Sequence, residues 1–232
     1  MIQLTEQQQE DKKNFLSSFN DSWYFEKLKK FNHEGYTKTL KTFVPRDTFD
    51  LYDKEIYYYL DFIFQKNPEI IYDIGCGNNF FKKLFEEKVK IIGINPDFNG
   101  FTNENADLKI SFEDFTKIYI NKIKFAFAIN SLHFINPLLF KKRLLHFISI
   151  FSTGGRGFIT FNIQRLHEKR KLYHCENPND VAVYIEKILN NLEKELHNKI
   201  KFILLENTSS KSNYDDPING NIRIIFDIIN EL

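Results

Sequence analysis

The stretch Tyr72-Asp73-Ile74-Gly75-Cys76-Gly77-Asn78-Asn79 holds the residue types and spacing best suited to chemistry in this sequence. It follows the apolar run EIIYDI and precedes NFFKKLFEEK, whose aromatic and leucine positions fall at helical spacing. Two glycines separated by one residue let the backbone bend sharply and let a ligand approach with no Cβ in the way. A ligand there would lie at the carboxyl end of a strand, beside a helix N-terminus. Asp73 could accept a hydrogen bond from a ligand ammonium group at that edge. The plainer alternative is a tight strand-to-helix turn that binds nothing. A nicotinamide-binding loop would want a glycine where Phe80 stands, so that reading is weak.

Other polar groups sit where later apolar runs stop. Asn95 and Asp97 flank Pro96 and are either ligand groups or a simple turn. Glu113 and Asp114 open a short helical stretch, where acids also suit the helix dipole. Asn130 and His133 lie in Ala128-Ile129-Asn130-Ser131-Leu132-His133-Phe134. A histidine with an unperturbed pKa of about 6.5 suits proton removal at neutral pH; otherwise it is an ordinary, partly buried side chain. Arg165, His167, Lys169, Arg170 and Lys171 form a basic run, a solvated surface or a phosphate contact. Tyr214, Asp215 and Asp216 lie in a long polar loop over 207–221 and are substrate-side candidates by topology.

These residues need a frame, and hydrophobic periodicity supplies one. Short apolar runs over 69–75, 89–95, 107–112, 123–130, 156–162, 199–206 and 221–229 read as strands. Helical patterns separate most of them, over 79–88, up to about 120, 137–151 and 181–198. Thr153-Gly154-Gly155 reads as a turn. Repeated β-α-β units with continuous apolar strands predict an α/β fold, a seven-stranded mostly parallel sheet with helices on both faces. The last two strands have no helix between them, which predicts a C-terminal antiparallel hairpin. Residues 1–50 read as a helical N-terminal extension and 51–232 as the main domain, with Pro45 breaking the helical pattern between them.

The loop resembles motif I of the class I S-adenosylmethionine-dependent methyltransferases, D/E-x-G-x-G-x-G. Asp73, Gly75 and Gly77 match it, and Asn79 stands where the third glycine usually is. The resemblance extends in element order from about residue 51 to 232 and implies a Rossmann-like fold with S-adenosyl-L-methionine as cofactor. It implies that Asp73, Gly75, Cys76 and Gly77 hold the methionine part. An acid usually ends strand two and grips the ribose; Asn95 occupies that place, with Asp97 two residues on. An amide cannot accept from both hydroxyls as a carboxylate does. Asp114, or Glu113, would face the adenine, and Asn130 would lie near the cofactor with His133 as general base. Residues 1–50 would form a lid, with Trp23 and Tyr57-Tyr58-Tyr59 as apolar cover.

Composition narrows the acceptor. Thirty-two basic and 31 acidic residues leave a net charge of +1, which argues against a protein that wraps duplex nucleic acid. No Pro-Pro-aromatic sequence follows Asn130, no cysteine follows a proline, and no acid stands near Asn130. These absences exclude the usual exocyclic-base, carbon-5 pyrimidine and ribose methylation patterns. An O, N or S nucleophile on a small molecule is the favoured acceptor. A degenerate binding subunit without activity and an RNA- or DNA-directed enzyme are the alternatives. Cys76 and Cys175 lack a CxxC partner, so no metal site is expected. MIQLTEQQQEDKKNF has no apolar signal core, and no apolar run approaches the roughly 18 residues of a membrane span. A cytoplasmic protein is expected.

Overall fold

The computed structural model describes residues 4–27, 54–77, 79–96, 105–129, 131, 140–162, 178–209 and 220–231. One sheet positions the glycine-bearing bend. Its strands are β1 (Ile70–Ile74), β2 (Lys90–Ile94), β3 (Ile123–Ile129), β4 (Phe151–Asn162), β5 (Ile200–Ser209) and β6 (Gly220–Ile228). Their order is β2-β1-β3-β4-β6-β5. The β1–β2, β1–β3 and β3–β4 pairs are parallel, and β6 runs antiparallel to both β4 and β5. Strand order reverses between β1 and β3, which opens the crevice where open α/β sheets bind ligands.

Seven strands were expected, and the described residues form six. The segment 107–112 makes one parallel bridge, Leu108 to Ile94, and no strand. Its alternating apolar residues still pack inward, but Ser111 already caps the next helix and accepts from the Asp114 N–H at 3.1 Å. That leaves no length for a ladder. Counting this bridge, the parallel part runs 3-2-1-4-5, the doubly wound order. The second difference is at Gly154-Gly155, read as a turn before a strand but lying inside β4. Ile123 pairs with Phe151 and Phe125 with Arg156, so the glycines form a bulge, with Gly154 at φ +77°.

Alternation along the strands divides the core in two. Ile71, Ile91, Phe127 and Phe158 face α1 (Glu6–Ser17), α2 (Lys54–Phe64) and α3 (Phe80–Phe85). Ile74, Ile94, Ala126 and Ala128 face α4 (Phe112–Ile118), α5 (Phe140–Ser149) and α6 (Pro178–Glu195). Tyr57 and Tyr59 are fully buried, packed against Phe19, Tyr24 and Phe158. Trp23 stacks on Phe85 at the end of α3 that is farther from the glycine loop. These aromatics build core and the amino edge of the sheet. Among the described residues, no helix is long and apolar enough to cross a membrane.

Charges are also buried on this face. Arg223 of β6 is 0% exposed and pairs through Nη1 with Glu55 at 2.6 Å and Glu206 at 3.1 Å. Lys12 of α1 joins the same two carboxylates at 3.2 and 2.7 Å, and Tyr59 donates to Glu206. The cluster ties α1 and α2 to β5 and β6. Removing one partner leaves a buried charge uncompensated. Glu206→Ala should therefore lower the unfolding free energy by roughly 3–5 kcal/mol in denaturant titration. A loss under about 1 kcal/mol would show a pair worth no more than a surface one.

Candidate functional site

The bend after β1 is built from three left-handed residues in five: Gly75 at φ +75°, Gly77 at +51° and Asn79 at +56°. The Gly75 and Cys76 N–H groups both donate to Ile94 O, at 2.8 and 3.1 Å, fixing the bend to the end of β2. The two glycines are there for different reasons. A Cβ on Gly75 would lie 2.3 Å from Ser131 Cβ, and Ser131 Oγ donates to Ile74 O at 2.5 Å. Ser131, two residues past the end of β3, is thus packed into the bend at the point of strand-order reversal. A Cβ on Gly77 would meet nothing within 4 Å among the described residues.

Asp73 lies beneath the bend, 2% exposed, with Gly93 and Phe127 as its register partners on β2 and β3. Its Oδ2 is buried without a hydrogen-bond partner. Burial pushes its carboxyl up to about 8. Cys76 is buried as well; burial first, then the nearby Asp73 and Asp107, push its thiol upward. The sulfur is a neutral wall of the bend and no nucleophile.

Asn79 explains the missing third glycine. Its Nδ2 donates to Asn105 O at 2.7 Å and to Asp107 Oδ2 at 3.1 Å, so the amide orientation is fixed. The carboxamide lies against Gly93, where a Cβ would be 2.4 Å from Asn79 Oδ1. A glycine on β2 thus makes room for the asparagine. That Oδ1 is buried and unpaired, like Asp73 Oδ2. Two acceptors without donors therefore sit at the two ends of one bend, each costing about 1–3 kcal/mol if left so. Such a site suits a cationic donor.

Asp107 completes the brace. Its Oδ2 accepts from the Gly93 N–H at 2.8 Å and its Oδ1 pairs with Lys82. Burial acts to raise its pKa, but Lys82, Gly93 and Asn79 together hold it below the usual carboxylate range. Gly93→Ala should push Asn79 off this brace and lower stability by about 1–3 kcal/mol, as overpacking does. Adding Asn79→Gly should recover most of that loss in thermal melts; no recovery would refute the contact as the cause.

Asn95 is half-buried at the end of β2, its N–H bonded to Leu108 O at 3.2 Å. Asp114 is exposed at the start of α4. Lys117 at 2.9 Å and then Ser111 at 2.8 Å engage its two oxygens and hold its pKa down. Glu113 pairs with Arg143 at 3.0 Å. Asp97, Asn130 and His133 lie outside the described residues, as do 165–171 and 214–216. Ser131, Asp107 and the second role of Asn79 were not foreseen. The one available signal was Gly93, a lone glycine in an apolar strand, which marks a close approach.

Similarity to solved structures supports the same frame. A SAM-dependent methyltransferase from Archaeoglobus fulgidus aligns at 13% identity over 76% of this chain and 93% of its own, with a TM-score of 0.50. The chain has the class I methyltransferase fold. A SAM-dependent methyltransferase from Methanosarcina mazei aligns at 15% identity, over 70% and 94%, with a TM-score of 0.43. A 30S ribosomal A1408 methyltransferase from an uncultured bacterium aligns at 14%, over 69% and 88%, with a TM-score of 0.45. No protein-family model matches the sequence, and no curated protein matches it. At these identities the likeness is one of fold.

Proposed function

We propose that this chain transfers a methyl group from S-adenosylmethionine to an O, N or S nucleophile of a small molecule. The observation that supports it most is the pair of buried acceptors, Asp73 Oδ2 and Asn79 Oδ1, that have no donor among the described residues and flank a left-handed glycine bend. The residues fit the cofactor: its ammonium group would supply the donor that Asp73 Oδ2 lacks. When bound, the cofactor brings a methyl already activated on a sulfonium. The protein's share is therefore orientation and exclusion of water.

Asp73 accepts from the ammonium group, and Gly75, Cys76 and Gly77 let the main chain lie close to the methionine part. Asn95 serves the ribose through its amide, with Asp97 beside it. Asp114, exposed and already bonded to Lys117 and Ser111, keeps acceptor capacity for an adenine amine. Asn130 lies near the cofactor, and His133 takes the acceptor's proton. The N-terminal extension over 1–50 and the catalytic domain over 51–232 act as one unit, with α1 anchored by Lys12. The near-neutral net charge favours a small acceptor over nucleic acid.

Calorimetric titration of the full chain with S-adenosylmethionine tests the reading. Saturable heat with one site per chain is expected; no heat at millimolar cofactor would reject it.

A further inference from the structure

Asp73 combines two properties that an ionised carboxylate does not sustain unaided: it is 2% exposed, and one of its oxygens has no donor. Among the described residues, the elements around it bring no free cation to its carboxyl. β2 presents Gly93 and β3 presents Phe127 at its register positions. The bend presents Cys76, whose thiol is kept protonated by burial. Of the two lysines of α3, Lys82 is committed to Asp107 and Lys83 is exposed. Burying a lone carboxylate costs several kcal/mol, so such a group takes up a proton instead. An ammonium group arriving at Oδ2 reverses that balance, because a charge-assisted bond favours the ionised form.

We propose that Asp73 is held as the neutral acid in the free protein and surrenders its proton to solvent when an ammonium-bearing ligand settles at the glycine bend, so that binding there is coupled to proton release. The inference rests on reading the bend as the S-adenosylmethionine site. In the binding step the carboxyl O–H bond breaks, its proton passes to water or buffer, and the carboxylate pairs with the ligand N–H. No electrons are exchanged. Burial alone holds the free acid at about 8, so the effect spans the neutral range. Below that value affinity should fall about tenfold for each pH unit, since each unit makes ionisation ten times rarer.

The test is titration of the full chain with S-adenosylhomocysteine at pH 6.5 in phosphate and in imidazole, buffers of low and high ionisation enthalpy. A ligand α-amino group, with a pKa of about 8, is charged at that pH. Close to one proton released per ligand is expected. Infrared difference spectra should show a protonated-carboxyl C=O band that disappears on binding and is missing from free Asp73→Asn. Equal binding heats in the two buffers, a band that persists in the complex, or the same band in Asp73→Asn would overturn the inference while leaving the cofactor site standing. No binding at millimolar ligand would overturn both.

Discussion

Asp73→Asn should weaken S-adenosylhomocysteine binding roughly tenfold to a hundredfold, the ~1.5–3 kcal/mol of a hydrogen bond to a charged group. The same substitution should flatten the dependence of stability on pH. The folded-state pKa of Asp73, about 8, lies above its ordinary value of 3.8. Between those values the folded chain holds a proton that the unfolded chain has lost. The stability it contributes is complete below pH 4 and is lost as pH rises through about 8, at about 1.4 kcal/mol per unit. Asparagine cannot ionise, so the difference between variant and parent should grow in favour of the variant from pH 5 to 8. Urea titrations across that range read it directly. Parallel curves for the two proteins would mean that Asp73 is ionised in the free chain.

Alanine at the two glycines of the bend should separate folding from binding. At Gly75 the added Cβ would overlap Ser131 at 2.3 Å and sit at φ +75°. Left-handed backbone costs an alanine about 1–2 kcal/mol and overpacking about 1–3 more. Gly75→Ala should therefore lose several kcal/mol and the ligand site with it. Ser131→Gly in the same chain should return the overlap part of that loss and not the backbone part. At Gly77 the Cβ meets nothing within 4 Å of the described residues, so only the cost of φ +51° applies. Gly77→Ala should stay folded within about 1–2 kcal/mol and yet bind the cofactor far more weakly. Equal binding by Gly77→Ala and the parent would show that the ground at Gly77 is not ligand space.

The frame was legible because strands such as EIIYDI and VKIIGI are continuous apolar runs set between helical patterns, a signal that survives without tertiary context. The failures have local causes. DLKISF alternates like a strand, but Ser111 belongs to the helix cap, and capping is decided by backbone geometry that alternation does not carry. Gly154-Gly155 reads as a turn because glycine permits one; only pairing with β3 makes it a bulge. The sharp bend at Gly75 and Gly77 was legible from spacing alone, and both glycines are left-handed. Asn79 was read as a departure from the pattern because its compensation, Gly93, is fourteen residues away on another strand. Ser131 was invisible for the same reason: its contact with Gly75 exists only once β1 and β3 are adjacent.

The placement of β6 between β4 and β5 has a consequence for how the sheet is made. During synthesis β5 leaves the ribosome before the strand that bridges it to the rest. Until residues 220–228 follow, β4 offers an uncovered flank and β5 has no neighbour to join, a state prone to sticking to other chains. Assembly of this half is thus timed by the last strand, and a nascent chain stalled before it would be a natural client for a holding chaperone.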